Sequence, residues 1–558
     1  MDFGLTEEQE RIRGVAREFA RAEVAPHARA IDESAEFSWP IHRRLGELGF
    51  LCMTAPEAYG GAGSDTLTWC MVVEEFARVS SAAANGLTLT ESMAHYLLTL
   101  GTEAQKTAVL PALASGRELC AFGLTEPGVG SDAKAVATTA ARTDDAWILN
   151  GQKMWISNGG FADLFTVFAK VGGEHFTAFL VERGPGLVSG HEEKKLGIDG
   201  SSTTALMLED CHVPVENVLG EVGRGHKIAF NVLNIGRLKL GARSVGTMKL
   251  SLLQSVNYAK ERHQFGQAIA NFGLIKHKLA EMTIRAYVGE SMLYRTAGMI
   301  DEALHGVDKD DPRQVLGVLE QYAVECSIIK VWESEALGYV VDEEVQVFGG
   351  YGYSRDYPAE RAYRDARIAR IYEGTNEINR IVIGSQLLRR AKSGDLPLLE
   401  APKAAPDRAA GGAGGPTELE QEMRLLAASK AKTIAAIARA DSKYGERVRD
   451  EQEILGLIAE MVMDVYAMDS ALLRTRRVIE HSGMSRAATQ VDIARVFTRD
   501  AAGRVERAAL AIETETEPDD GAAAELSGNV NAVPLLKAIA ARRRIADAII
   551  GAGRYNLS

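Results

Sequence analysis

What most constrains this chain is a change of texture near Cys120 that reverses near Val218. On either side, apolar residues recur at the three-to-four spacing of amphipathic helices. Between them Gly is frequent, β-branched residues cluster, and runs such as LFTVFAKV (164–171) and FTAFLVER (176–183) alternate with Gly-rich turns. A helical period does not fit a pleated strand, so a β unit must sit between two helical ones. Thr6-Glu7-Glu8-Gln9 spells a capping box that opens the first helix, and helical patterning continues to about Arg117. After Gly223-Arg224-Gly225 the spacing predicts long helices over 237–262, 274–299 and 322–345, lengths that suit a bundle. The expected organisation is a helical unit (1–119), a β unit (120–222), a helical bundle (223–391), a Pro/Ala/Gly-rich linker (392–416) and an additional helical unit (417–558). In the last of these, Ile454, Leu455, Ile458, Met461, Val462, Val465 and Tyr466 share one helix face that must be covered.

Charge and cysteine usage narrow the function classes. Lys and Arg number 63 against 76 Asp and Glu, a formal charge of -13, which repels polyanions at long range and argues against a nucleic-acid partner. The five cysteines (Cys52, Cys70, Cys120, Cys211, Cys326) are scattered and never form a CxxC pair, so neither a disulfide framework nor a metal site is indicated. The N-terminus is charged from the start, and no apolar run approaches the ~20 residues of a membrane span, so a cytoplasmic protein is expected.

Four segments carry residue types that core packing does not require. In AFGLTEPGVGSDA (121–133), Gly128 and Gly130 allow close approach of a ligand to the backbone, and Thr125 and Ser131 offer hydroxyls. The segment contains G-x-G-x-x-A, but a dinucleotide fingerprint needs a strand before the glycines and a helix opening at them, whereas β-like segments follow. GQKMWISNGG (151–160) places Trp155 between polar and Gly-rich flanks. Its ring could cover a planar cofactor, although a buried core Trp is the commoner use. ERHQFG (261–266) ends a helix with Arg262 able to neutralise a phosphate; a lone helical Arg is more often a solvated face. Finally, VFGGYGYSRDYPAERAYRDARIARIYEGTNEINR (347–380) leads through a Glu-Gly-Thr turn into a helix. There Gly374 frees the backbone beside Glu373, Thr375 is a candidate N-cap, and Glu377 in the first turn complements the helix dipole. Taken alone, Glu373 is one turn-borne carboxylate among many.

In order and spacing, LTEPGVGSD, KMWISNG, ENVLGEVGRGHKIA, YAKERHQFG, QVFGGYGY and IYEGTNEINR resemble the acyl-CoA dehydrogenase family from Leu5 to about Arg390. The resemblance implies a mainly α fold with a central β-barrel-like domain, a C-terminal four-helix bundle and FAD as cofactor. Carried over, Phe122, Leu124, Thr125, Gly130, Ser131, Trp155, Ile156 and Ser157 would line the flavin, and Arg262, Gln264, Gln346, Gly349 and Gly350 would reach its ADP half across a subunit interface. Thr375, Asn376 and Glu377 would complete the cofactor site. Ser131, Leu233, Asn234, Arg237, Tyr372 and Gly374 would meet the acyl-CoA substrate. Asn234 departs from the Asp of many relatives. Its N-x-G-R setting, NFGLIKHKLAEM (271–282) and EMVMDVYAMDSALLRTRR (460–477) resemble the very-long-chain branch, whose extra C-terminal helices imply a homodimer and can assist peripheral membrane contact.

The implied reaction is α,β-dehydrogenation of a fatty acyl-CoA to the trans-2-enoyl-CoA, the first step of β-oxidation. Glu373 would be the catalytic base, and the electrons would pass to an electron-transferring flavoprotein. A variation within the family puts the base at the position of Gly236, where glycine cannot serve. Two rivals remain: an acyl-CoA oxidase that passes electrons to O₂, and a DNA-associated relative with a basic C-terminal region. For the latter only Arg542-Arg543-Arg544 is available, beside Glu513, Glu515, Glu517, Asp519 and Asp520.

Overall fold

The structure is a computed structural model and describes residues 3–309, 311–396, 398, 419–516 and 536–557. Six helices form the first unit: α1 (Glu7–Phe19), α2 (Ala28–Ser34), α3 (Trp39–Glu47), α4 (Thr66–Ala77), α5 (Ser81–Leu100) and α6 (Glu103–Ala114). The capping box read at Thr6 is formed. Gln9 N–H donates to Thr6 Oγ1 at 3.1 Å and the Gln9 side-chain oxygen accepts from Thr6 N–H at 3.0 Å, so two otherwise orphaned donors are satisfied. Thr102 and Gln105 repeat the device at α6.

Strands β1 (Cys120–Gly123), β2 (Thr139–Arg142), β3 (Ala146–Ser157), β4 (Leu164–Val171), β5 (His175–Glu182), β6 (Leu187–Glu192), β7 (Thr203–Pro214) and β8 (Val218–Leu219) make one eight-stranded sheet. Its order is β6-β7-β3-β2-β4-β5-β8, and β1 pairs parallel with the first half of β4. The two runs read as strands from their β-branched texture become β4 and β5, paired antiparallel from Leu164–Glu182 to Val171–His175. Phe165, Val167, Phe179, Val181 and Leu206 fill one side of the sheet.

The bundle is built on α7 (Gly225–Glu261), α8 (Gly273–His305), α10 (Ala323–Phe348) and α12 (Asn376–Lys392), with the short helices α9 (Pro312–Gln321) and α11 (Pro358–Ala366) between them. A two-strand hairpin, β9 (His263–Gln264) and β10 (Gln267–Ala268), joins α7 to α8. Helix α7 begins twelve residues before the span predicted from spacing. Its first turns, GHKIAFNVLNIG, are poor in strong helix formers and are held by packing rather than propensity.

Helices α13 (Glu420–Tyr444), α14 (Gln452–Ser482), α15 (Ala488–Thr516) and α16 (Ala538–Ala552) complete the chain. The apolar face read on α14 is spent on packing: Ile454, Leu455, Ile458 and Met461 join the same core as the bundle. Polar links reinforce the seam. Arg380 of α12 bridges Glu335 and Glu460, and Arg474 of α14 donates to Glu290 of α8 at 2.9 Å inside a buried set with Lys249, Glu74 and Tyr555. Of the basic triplet, Arg542 pairs with Glu281 and Asp500, and Arg544 with Asp492. Most of the 392–416 linker, with Glu517, Asp519 and Asp520, lies outside the described residues. Among the described residues, no helix is long and apolar enough to cross a membrane.

Candidate active site

The Glu373 turn joins a 3₁₀ segment (Arg367–Arg370) to α12. Glu373 has φ 58° and Gly374 φ 80°, two successive left-handed residues. Glycine takes this conformation freely, whereas for glutamate it costs on the order of 1 kcal/mol or more. Such strain persists only when the surroundings over-determine it. Here Asn379 Nδ2 donates to the carbonyls of Glu373, Gly374 and Thr375 at 3.3, 2.8 and 3.0 Å, and Arg237 Nε donates to the Glu373 carbonyl at 3.3 Å. Thr375 is the N-cap read from sequence, accepting from Ile378 N–H at 3.3 Å. The backbone is therefore anchored from both sides while the carboxylate projects towards α7.

On α7 the facing residue is Gly236. A Cβ there would lie 2.6 Å from the Glu373 carboxyl carbon and 2.8 Å from Oε1, and closer still to Oε2. The absence of a side chain at Gly236 thus makes room for Glu373. One turn on, Lys239 Nζ stands 3.4 Å from Glu373 Oε1 and 3.3 Å from Ser92 Oγ of α5. Asn234 and Arg237 are buried and bonded to each other at 3.0 Å. Arg237 also reaches Ser327, and Asn234 reaches the Leu319 carbonyl, so their polar atoms brace the turn. Leu233 lies one turn before Arg237, partly buried. Burial lowers the Arg237 guanidinium from its usual value. It also pushes the fully buried Lys330 down to about 7, with Glu373 opposing the shift and Arg237 reinforcing it. Lys330 donates to Asn376 Oδ1 at 2.6 Å, so Asn376 is a buried strut at the start of α12. Glu377 is exposed, its carboxylate held low by its own backbone N–H and the Thr375 hydroxyl. Tyr372 lies under the Arg243 guanidinium, 5.3 Å from ring centre to cation.

Helix α5 connects this turn to the sheet. Ser92 meets Lys239. One turn later Tyr96 bonds Thr166 of β4 and packs 6.5 Å from the Phe122 ring, and Cys120 Sγ donates to the Leu89 carbonyl. At the sheet, Trp155, which the resemblance puts at the flavin, is not a buried core residue. It is 56% exposed, has φ 61°, and sits where the β3–β7 register shifts between Lys153 and Ile156. A bulge of this kind re-aims a side chain out of the sheet. Ile156 is buried beside it, and Ser157 is partly exposed opposite Thr203. The loop after β1 carries Leu124, Thr125, Gly130 and Ser131. Cβ atoms built on Gly128 and Gly130 meet nothing within 4 Å, and Ser131 is exposed. A short strand precedes these glycines, but only the three-residue turn Ala133–Ala135 follows, so the dinucleotide fingerprint fails for want of a helix. The loop is clamped from below: Glu126 accepts from Lys153 Nζ at 2.7 Å and from the Ala137 and Thr138 N–H groups. Burial lowers Lys153 to about 8.

Arg262, Gln264, Gln346, Gly349 and Gly350 are exposed. Arg262 stacks over Tyr351, and Phe265 (92%) and Tyr353 (90%) are bared nearby in sequence. A cavity lined by Ile31, Phe37, Ile41, Leu45 and Gly86 shares no residue with the Glu373 turn, so open volume alone would misplace the site. Sequence reasoning missed Lys239, Lys330, Asn379, Glu126 and Lys153. Only Lys239 left a legible signal, being three residues from Gly236 and therefore on its helix face.

Comparison with known proteins agrees along the whole chain. Models of the acyl-CoA dehydrogenase N-terminal, middle and C-terminal domains match residues 6–117, 121–211 and 223–388. The chain belongs to the acyl-CoA dehydrogenase family. A second acyl-CoA dehydrogenase C-terminal model matches residues 428–528, in the helices beyond the bundle. A probable acyl-CoA dehydrogenase of Bacillus subtilis is 40% identical over 99% of this chain and 95% of its own length. The crystal structure of an acyl-CoA dehydrogenase complexed with FAD from Bacillus anthracis superposes with a TM-score of 0.94 at 39% identity, covering 99% of this chain and 96% of that one. Butyryl-CoA dehydrogenase from Megasphaera elsdenii covers 70% of this chain and all of its own, with a TM-score of 0.65 and 38% identity. The difference in coverage fits α13–α16 as an addition to the shared three-domain architecture.

Proposed function

We propose that this acyl-CoA dehydrogenase binds FAD and oxidises a fatty acyl-CoA to the trans-2-enoyl-CoA, with Glu373 as the base. The observation that carries this is the carboxylate itself, thrust by a strained left-handed turn into the space left by Gly236. The residues fit the cofactor. An exposed Trp on a bulge, an open two-glycine loop and the Ser131 hydroxyl form a surface that a core would not need and a flat conjugated ring would cover. When bound, FAD supplies the hydride acceptor for Cβ.

The chain's own residues do the rest. An α-proton beside a thioester is too weakly acidic for a free carboxylate, so negative charge on the carbonyl oxygen needs preorganised donors. The Glu373 backbone N–H is one donor that the turn fixes in place. An acyl chain that excludes water from the base makes the carboxylate more ready to take the proton. Arg237 and Asn379 hold the turn still while the proton moves. Glu373→Gln should retain FAD and lose reduction of the flavin by acyl-CoA in stopped flow; retained reduction would refute the role.

Three finer features belong to the same proposal. The substrate is a long-chain or very-long-chain acyl-CoA, supported by N-x-G-R at 234–237 and by the helices beyond the bundle. The exposed Arg262, Gln264, Gln346, Gly349 and Gly350, beside bare aromatic residues, favour a homodimer in which they meet the partner's cofactor. An electron-transferring flavoprotein is the acceptor. Bleaching of the flavin across a chain-length series, followed by reoxidation with that acceptor or with O₂, tests the first and third points.

A further inference from the structure

Glu373 is paired in the folded protein, and its partner is no part of the motifs that mark the site. Lys239 approaches from α7 with its ammonium 3.4 Å from the carboxylate, its side chain 12% exposed and that of Glu373 18%. The same ammonium lies 3.3 Å from Ser92 Oγ, so it is tethered between α5 and the base. The other charged and titratable groups around the turn make their contacts with atoms other than this carboxylate, although Arg237 and Lys330 feel its charge. Arg237 of α7 bonds the Glu373 carbonyl, Asn234 and Ser327, and Lys330 of α10 bonds Asn376. Arg243 of α7 stacks on Tyr372; Cys326 of α10 and Cys120 of β1 are buried thiols; Glu377 is exposed. Among the described residues, Lys239 is the cation at ion-pair distance from this carboxylate.

The pairing has a chemical consequence. An ammonium this close, itself tethered to Ser92, gives the carboxylate one favoured direction out of the turn, and an acyl chain that strips water from the site strengthens that attraction. A carboxylate held in one direction spends more of its time where an α-proton can be reached. Gly236 and Lys239 act from one helix face, the first providing the space and the second the counter-charge.

We propose that Lys239 is a positioning residue for the base, an ion-pair partner that holds the Glu373 carboxylate aimed across Gly236 for α-proton removal. This rests on Glu373 being the base, and the test separates the two. A 3-thia acyl-CoA offers α-protons but no hydride, so exchange of those protons in D₂O on the FAD-loaded enzyme, followed by NMR, reports the base alone. In Lys239→Met and Lys239→Gln the exchange rate at saturating analogue should fall by about tenfold and flavin bleaching by acyl-CoA should slow in parallel, with KM held. Lys239→Arg, which keeps the charge, should recover most of the wild-type rate. An unchanged rate in FAD-loaded Lys239→Met and Lys239→Gln, or an equal loss in Lys239→Arg, overturns the role of Lys239, leaving it a packing residue. Exchange at the wild-type rate in Glu373→Gln instead overturns the base, whatever Lys239 does.

Discussion

Adding one methyl group at Gly236 should separate stability from catalysis. The Cβ of Gly236→Ala would come 2.6 Å from the Glu373 carboxyl carbon, where ordinary contact begins at 3.4 Å, so the carboxylate must retreat by at least 0.8 Å (3.4 − 2.6). Because the obstacle is the free end of a flexible side chain, the fold loses little. Alanine inside a helix is worth about 1 kcal/mol more than glycine, so the melting temperature should hold or rise. The displaced group, however, is the proposed base. A misplacement of about 1 Å at a reacting centre costs on the order of 100-fold in rate. Stopped-flow reduction of the bound flavin at saturating acyl-CoA should therefore slow by about that factor, with FAD content unchanged. Gly456→Ala is the control, since its Cβ meets nothing within 4 Å and the rate should not move. Flavin reduction by Gly236→Ala at the wild-type rate would refute the idea that packing against α7 places the carboxylate.

Other outcomes follow from the same geometry. Trp155→Gly relieves a left-handed φ of 61° and should leave the apo-protein as stable or up to about 1 kcal/mol more so, while FAD affinity measured by fluorescence falls by roughly tenfold or more. Arg474→Met leaves Glu290 and Glu74 sharing Lys249 in the buried seam between α8 and α14 and should cost about 3 kcal/mol in urea unfolding, with Arg474→Met/Glu290→Gln recovering part of it. Burial lowers His42 to about 4, and neither ring nitrogen has a partner among the described residues. The unfolded chain therefore binds more protons than the fold between pH 6.5 and 4, and stability falls on acidification through that window by up to roughly 1.4 kcal/mol for each pH unit. His42→Phe should flatten that slope.

Legibility was uneven for physical reasons. Strands β4 and β5 were readable because β-branched runs between Gly-rich turns have few alternatives, and the Thr6 box because capping is local chemistry. The start of α7 was not, since GHKIAFNVLNIG has weak helix propensity and is held by its neighbours. Trp155 was read two ways, as a ring over a cofactor and as the commoner core residue, because its exposure depends on a register shift between strands fifty residues apart in sequence, which no local pattern records. Asn234 and Arg237 were expected at the acyl-CoA substrate; that they also bond each other and the turn that holds Glu373 is a long-range arrangement no local pattern records.

Sequence by itself determined the order of helical and β units, because period, caps and turn chemistry act over a few residues, and its resemblance to a family pointed to the motifs expected at the site. Tertiary structure alone decided which functional groups meet. That Glu373 faces Gly236, is paired with Lys239 and is anchored by Asn379 and Arg237 requires α7 and the turn before α12 to pack across more than 130 residues of chain. Contacts of that range are selected by close packing of the whole bundle rather than by any local preference.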